Sequence, residues 1–491
     1  MMTNQEKKLA GFLKIIIVLL SLYYIAIFIF ISLSRINYPF ELEMMEGGML
    51  ENVIRLIEGK AIYTEPGIDY IPFIYPPLYF HLSEISVKIF GESFFSLRLI
   101  SLISTLIAFY IIFAFVKKET GNWIYSISSV GIFAAVFQIT GFWFDLARVD
   151  SLFLMFLLST IYFLRFYDNY IGLFLSAVLA LLAFLTKQTM MIIILPIILY
   201  LLINYKLRAF IFILPFLTGT IISTLWINHN TNGWYMFWMF ELPASHEWNF
   251  KYLLSFWSYD VFKHTSIMFL FSLIWFIYLL KENDKKTITF YVALMLGIIS
   301  AAWSQRLHLG GFVNANIPFY AIFSLTFLVG LNSISKKIEI ISVNKNTIMI
   351  IFFIIIICQL LALNYNPLKA IPTKEDLIAG RKIIEKIKKI DGEIFIPNHN
   401  YLLRLAGKKT YAHWVGFLDL MISKSPWKQR LEKDIEQKFS SAFFKAIIVN
   451  DDFSYHFLEK YYVKKEAIFD NQVFMTISQK ARPQYIYIPK K

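Results

Sequence analysis

The stretch Leu13–Leu33, LKIIIVLLSLYYIAIFIFISL, and the segment behind it, Ser34–Glu46, SRINYPFELEMME, decide how this chain is read. At 1.5 Å rise per residue, about 20 apolar residues cover a hydrocarbon slab of roughly 30 Å. The run is too long for the apolar part of a signal peptide, and no small-residue cleavage pattern follows. It therefore reads as a retained span. Glu41, Glu43 and Glu46 crowd its exit.

Working outward, apolar runs recur at Ser96–Val116, Trp123–Phe142, Asp150–Phe166, Tyr170–Leu185, Met190–Tyr205 and Ala209–Asn228. Four more follow a gap: Thr265–Leu280, Thr287–Trp303, Phe312–Leu331 and Thr347–Leu363. The pattern predicts an α-helical polytopic membrane protein with about eleven transmembrane helices. Composition agrees. Hydrophobic residues make up 57% of the chain and charged ones only 16%, against about 25% in soluble proteins.

The net charge of +13 would raise the question of nucleic acid in a soluble chain. Here much of it falls in short basic loops at alternate span ends, at Lys7–Lys14, Lys117–Lys118, Arg165, Lys206–Arg208, Lys281–Lys286 and Lys336–Lys345. That is the orientation signal of cytoplasmic loops, and no nucleic-acid partner is expected. The expected location is the plasma or inner membrane, with the N-terminus cytoplasmic and the C-terminus extracytoplasmic. Cys358 is the single cysteine, so no intramolecular disulfide and no cysteine-based metal site is expected.

Three segments then fall outside: a first loop at 34–95, a second at 229–264, and the tail. Residues 1–364 read as the membrane domain and 365–491 as a small soluble α/β domain. In the tail, Lys374–Lys389 reads as an amphipathic helix, and Glu393–Pro397, Ala446–Asn450 and Gln472–Ile477 as strands. In the first loop, Gly48–Glu58 places Met49, Val53 and Leu56 on one helical face, with Gly59 as C-cap. Such a helix suits the interface plane. Pro76 and Pro77 fix how the loop re-enters the membrane.

The polar residues at the outer span ends carry the chemistry. They are Asp145, Arg148 and Asp150; Lys187 and Gln188; Arg306, His308 and Asn314. Ionisable groups at membrane depth are costly and are usually paired or functional. All fall on the side of the three glutamates. Carboxylates and cations facing one outer cavity suit an anionic lipid headgroup and a polar acceptor. A bland alternative is snorkelling with an Arg148–Asp150 ion pair. No phosphate-binding loop, dinucleotide fingerprint or zinc motif is present.

The acidic first loop, Tyr75-Pro76-Pro77-Leu78-Tyr79, Ser96-Leu97-Arg98-Leu99, Ala147-Arg148-Val149-Asp150-Ser151, Leu185-Thr186-Lys187-Gln188-Thr189 and Gly310-Gly311-Phe312-Val313-Asn314-Ala315-Asn316 occur in that order. Together they resemble the GT-C glycosyltransferases of the protein O-mannosyltransferase and aminoarabinose-transferase type, over roughly residues 10–365. The resemblance implies a polyprenyl-phosphate-linked sugar donor, transfer outside the cytoplasm with inversion, and an acidic general base in the first loop, here Glu43 or Glu46. It implies Arg148, Asp150, Lys187, Gln188, Arg306, His308 and Asn314 as the set that holds lipid phosphate and sugar. No cofactor is required, and a divalent metal stays open. The acceptor, whether glycan, lipid or protein, is left open too. Tyr75 stands where aminoarabinose transferases have a lysine. The alternatives are a flippase of lipid-linked sugars and a polymerase or ligase using a diphosphate-linked donor. A transporter would carry midplane charges and paired repeats, which this sequence lacks.

Overall fold

The computed structural model describes residues 4–338, 345–450, 453–468 and 482–490. All eleven apolar runs contain a helix. They form α1 (Asn4–Arg35), α4 (Phe94–Thr120), α5 (Trp123–Ala135), α6 (Asp150–Phe166), α7 (Tyr170–Thr186), α8 (Met190–Tyr205) and α9 (Phe210–Asn230), followed by the helices Lys263–Leu279, Lys285–Leu307, Ile317–Ile338 and Lys345–Ala362. Between α1 and α4, the first loop supplies α2 (Met45–Ile57) and α3 (Leu78–Phe90).

By length and apolarity alone, six helical stretches among the described residues can cross a membrane, or seven if the bent pair Thr347–Ala362 and Pro367–Lys388 is one span. The difference from eleven has two sources. First, α8 and α9 run as a single stretch of 41 residues, interrupted at Lys206 (φ 51°). Second, α5, α6 and α7 have 13, 17 and 17 residues, so α5 reaches only about 20 Å.

The helix α5 also corrects a boundary. The run to Phe142 was expected to be helical throughout, but the helix ends at Ala135 and the chain turns through Gly141 (φ 74°) and Phe142 (φ 58°). Side chains take over the freed backbone groups. Arg35 Nη2 donates to the Phe142 carbonyl at 2.7 Å, and the Ala147 N–H donates to Glu46 Oε1 at 2.8 Å. Irregular backbone at this depth is tolerated where it is buried in protein.

In the helical body, α1 packs on α5 and Lys345–Ala362, α4 on α5 and α6, α6 on α7, and α8 on Lys285–Leu307. The helix Ile317–Ile338 is sealed along nearly its whole described length. The second loop is largely helical, with π-helical turns at Phe237–Glu241 and Phe256–Phe262. Trp238 is fully buried there and donates its indole N–H to the Thr64 carbonyl at 2.8 Å.

The last part of the chain is α/β. Lys374–Lys388 is a helix with a Thr373–Asp376 capping box, which satisfies its first free N–H groups. A four-stranded sheet has the order β1-β2-β4-β3, from β1 (Glu393–Phe395), β2 (Phe444–Asn450), β3 (Tyr462–Ala467) and β4 (Pro483–Pro489). β1 and β2 are parallel, and β4 is antiparallel to both its neighbours, with Ile448 opposite Ile486. Two of the three expected strands are β1 and β2; Gln472–Ile477 lies outside the described residues.

This sheet region is docked on the first loop. The helix α2 was expected to suit the membrane interface, yet Glu46–Ile54 are all buried. Arg404 clamps Glu51 at 2.8 Å, the Ala412 N–H donates to the Ile68 carbonyl, and His413 Nε2 lies 2.9 Å from the Met44 carbonyl. A Cβ on Gly47 would sit 2.1 Å from Glu41 Oε1, and one on Gly48 2.2 Å from the Phe73 ring. The Gly-Gly pair is what allows this close approach.

Candidate active site

The site forms where the first loop meets the nearby ends of α4, α6 and α7. Its three glutamates have different surroundings. Glu46 opens α2, and both of its oxygens are engaged. It accepts from Arg98 Nε at 2.9 Å and Nη2 at 2.5 Å, from the Leu42 N–H at 2.7 Å, and from the Ala147 N–H at 2.8 Å. Burial opposes its charge, but the Arg98 guanidinium and these N–H groups outweigh burial and hold the carboxyl below its ordinary range. Arg98 in turn donates to the carbonyls of Arg35, Tyr38 and Phe40. The pair knots the loop to α4.

Glu41 is fully buried. Its Oε2 lies 2.5 Å from His399 Nδ1, and His399 Nε2 lies 3.0 Å from Asn450 Oδ1. Burial, then the charges of Glu43 and Glu46, push Glu41 well above the usual carboxylate range. Burial lowers His399 to about 3. Both directions describe a neutral pair, in which the Glu41 hydroxyl donates to Nδ1 and Nε2–H donates to Asn450.

Glu43 differs from both. It keeps a small exposed fraction, 6%, whereas Glu41 and Glu46 keep none. Arg148 Nη1 donates to its Oε2 at 2.8 Å, and Arg148 Nη2 donates to the Tyr75 hydroxyl at 2.8 Å. Burial raises the Glu43 carboxyl, and Arg148 offsets that only in part. A carboxylate with a raised pKa and an open edge is a competent proton acceptor.

Next to this pair, Lys187 Nζ lies 2.8 Å from Asp150 Oδ1, and Asn314 Nδ2 donates to the same oxygen at 3.1 Å. Gln188 Nε2 donates to the Ile74 carbonyl at 2.9 Å. The structure therefore brings together Glu43, Arg148, Asp150, Lys187, Gln188 and Asn314. The ion pairing differs from the Arg148–Asp150 pair considered from the sequence, because each of these residues holds another partner.

Arg306 and His308 stand apart. Arg306 binds Asp260 at 2.8 Å and the Gly311 carbonyl at 2.7 Å, and His308 Nε2 lies 3.0 Å from the Pro243 carbonyl. These bonds tie the second loop to the helix Lys285–Leu307, and among the described residues none joins them to Glu43 or Arg148. Asp145 is likewise bound, to Arg35.

Sequence reasoning missed Asp419, on the helix Trp414–Met421. It is partly buried, pushed up to about 7 by burial, and close enough to Tyr75 to raise that phenol electrostatically. His246 Nε2 donates to its carbonyl at 2.7 Å. No pattern marks one aspartate among the many charges of the tail. Among the described residues, no cluster of three or more His, Cys, Asp and Glu side chains suits a metal ion.

This architecture, a helical membrane body with an acidic loop and a small α/β cap, defines a polytopic membrane protein of GT-C-like fold. Residues 75–229 match the sequence model of the family described as dolichyl-phosphate-mannose-protein mannosyltransferase. The fold is similar to that of ArnT from Cupriavidus metallidurans bound to undecaprenyl phosphate, with a TM-score of 0.57 at 9% identity over 95% of this chain and 97% of that one. It is also similar to the archaeal oligosaccharyltransferase AglB from Archaeoglobus fulgidus, in complex with an inhibitory peptide and a dolichol-phosphate, with a TM-score of 0.51 at 9% identity over 87% of this chain and 69% of that one. No curated protein sequence matches the chain. The resemblance drawn from the short motifs is thus borne out at the level of fold.

Proposed function

We propose that this chain transfers a sugar from a polyprenyl-phosphate-linked donor to an acceptor hydroxyl on the extracytoplasmic face, with Glu43 as general base. The observation that carries the proposal is the Glu43–Arg148 pair, a carboxylate with one open edge beside a guanidinium and a Lys187–Asp150 pair. The lipid phosphates bound by ArnT and AglB, whose fold this chain shares, support the donor class.

The chemistry balances. The acceptor oxygen attacks the anomeric carbon from the face opposite the phosphate, and a new C–O bond forms with inversion. Glu43 takes the hydroxyl proton as the oxygen bonds. The anomeric C–O bond to phosphate breaks, and the lipid phosphate leaves as an anion. Arg148 and Lys187 lie where cations can stabilise that charge. Glu46 is left to hold the loop, because all its strong acceptor positions are filled.

The test is the glycan that a deletion strain loses. Wild-type chain restores it, and Glu43→Gln, inserted at normal level, does not. Restoration by Glu43→Gln would remove Glu43 from the chemistry. Sidedness is tested in a Cys358→Ser background by Glu65→Cys and Ser425→Cys. Glu65 pairs with Arg430 at 2.8 Å, so both cysteines should label from outside with a membrane-impermeant thiol reagent. Labelling only after the membrane is opened would invert the assignment.

A further inference from the structure

We infer that a cavity between α2 and the tail is an anion site for a phosphomonoester, and that filling it fastens the tail to the loop that carries Glu43. The cavity measures about 340 Å³ and is lined by the second half of α2, the turn behind it and the tail segment Arg404–Thr410. That volume is within the range of small-ligand pockets. The cavity stands apart from the Glu43 site. Arg55 lies nine residues beyond Glu46, about 14 Å along α2. Five cations line the cavity against three carboxylates, and the pairing shows where the surplus sits. The buried Glu51 accepts from Arg404 at 2.8 Å and from Thr410 at 3.0 Å. At the rim, Lys60 pairs with Glu58 at 2.8 Å and Lys409 with Asp69 at 2.9 Å. Glu92 also lies near Arg404 but does not line the cavity. Arg55 and Lys408 are left over, and neither joins an ion pair among the described residues. Arg55 Nε donates to the Ala61 carbonyl at 2.6 Å, and its guanidinium lies 4.0 Å from the centre of the Tyr70 ring. These contacts fix the fork and leave its Nη groups without a protein acceptor among the described residues. Lys408 Nζ donates to the Ile390 carbonyl at 2.6 Å. One surplus cation thus comes from the loop and the other from the tail.

Which anion follows from charge and shape. Two surplus cations suit a dianion. A phosphomonoester carries a charge of about −1.5 to −2 at pH 7, whereas a carboxylate or a phosphodiester carries a single one. A guanidinium fork takes two phosphate oxygens at once, and an ammonium adds a point charge. The mutual repulsion of Arg55 and Lys408 opposes docking of the tail on the loop, and a dianion between them reverses its sign. A ligand that binds only the docked arrangement shifts the protein towards it. The phosphomonoester can be a lipid headgroup or a soluble compound, since both present the same group to the cavity.

The site is tested by calorimetric titration of the purified full chain with inorganic phosphate, in phosphate-free buffer of fixed ionic strength. Phosphate should bind saturably, and acetate at least about tenfold more weakly. Arg55→Gln and Lys408→Gln should each weaken phosphate binding about tenfold or more, the scale of one lost charge-assisted hydrogen bond. Lys424→Gln, an exposed cation outside the cavity, should leave it within about twofold. No saturable binding, or an affinity untouched by both cavity substitutions, overturns the site. An equal loss in Lys424→Gln reduces it to general surface charge and overturns it too. Acetate binding as tightly as phosphate overturns the dianion. The clamp is read by amide hydrogen exchange. Phosphate should slow exchange both in Met45–Ile57 and in residues 401–410, and slowing on one side alone overturns the fastening. The source is read by competition with free phosphate. Competition by phosphatidic acid in phosphatidylcholine nanodiscs makes the ligand a lipid headgroup; competition by glycerol 3-phosphate alone makes it soluble. Competition by neither overturns the phosphomonoester class.

Discussion

The two ends of the helical body use charge in opposite ways. At one end, Arg35–Asp145, Arg98–Glu46, Arg148–Glu43, Lys187–Asp150 and Arg306–Asp260 are sealed, with side-chain exposures of 10% or less. At the other, Arg208 and Lys286 both reach Asp168 with exposures above 40%, and Arg165–Glu119 is only partly covered. Sealing a charge costs several kcal/mol, and a partner recovers this only with good geometry and further hydrogen bonds. Exposed pairs have small worth of either sign. The open end is therefore held by pairs of small individual worth. The sealed end is organised, and it is where the candidate site lies.

The sharpest way to break this comparison is to separate two carboxylates within the sealed end. Glu43→Gln leaves Arg148 without its carboxylate, so turnover is measured per folded protein, and it should fall by about 10²–10⁴-fold, the usual worth of a general base. Glu46→Gln or Arg98→Met should act through the fold instead. Leaving one buried charge alone costs about 3–5 kcal/mol, so the purified variants should melt much earlier or fail to accumulate. If Glu46→Gln melts normally yet is inactive, Glu46 has a chemical role after all.

Protons offer the next test. His399, His413 and His246 are lowered by burial to about 3, 4 and 4. Each is neutral in the fold and takes up a proton on unfolding once the pH is below its ordinary 6.5. Their contribution is whole above that value and is lost as pH falls toward 4. Glu41 has the opposite sign: its raised pKa favours the fold most below 4.5 and less as pH rises. Asp419, raised to about 7, has the same sign as Glu41, so between pH 6 and 5 three imidazoles gain protons on unfolding while two carboxyls lose them, a net uptake of roughly one proton, or about 1 kcal/mol per pH unit. Melting temperature should fall over this range, and His399→Asn should flatten the slope. A flat wild-type profile would show that these imidazoles are solvated.

The smallest effect belongs to the open end. Arg208→Ala should change stability by less than about 1 kcal/mol. A larger loss, measured by thermal melting, would mean that this end is organised too.

Much of this was legible in the sequence, and the limits are instructive. Hydropathy found every helix in the membrane body, since lipid and protein interior favour the same side chains. It overran α5, because Val136–Phe142 is as apolar as a helix while its backbone bonds are made by Arg35 and by its own turns. Sidedness grouped Arg148, Asp150, Lys187, Gln188 and Asn314 with Glu43, and the fold holds them near one another. It could not separate Glu43 from Glu46, because that depends on Arg98 reaching back across the loop. It also grouped Arg306 and His308 with them, although Asp260 and Pro243 hold those two elsewhere. Asp419 was invisible, because the burial that raises its carboxyl exists only once all neighbours are placed.

The contact between Glu41 and His399 spans 358 positions of the chain. The loop that carries Glu43 leaves the ribosome early, whereas the residues that fix it, His399, Tyr401, Arg404 and His413, come after the last span. A nascent chain that has inserted all its helices still lacks the far wall of its own site. Competence is thus delayed until the final quarter of the chain has folded and closed over the loop, so that docking of the tail sets the moment at which the protein can begin to work.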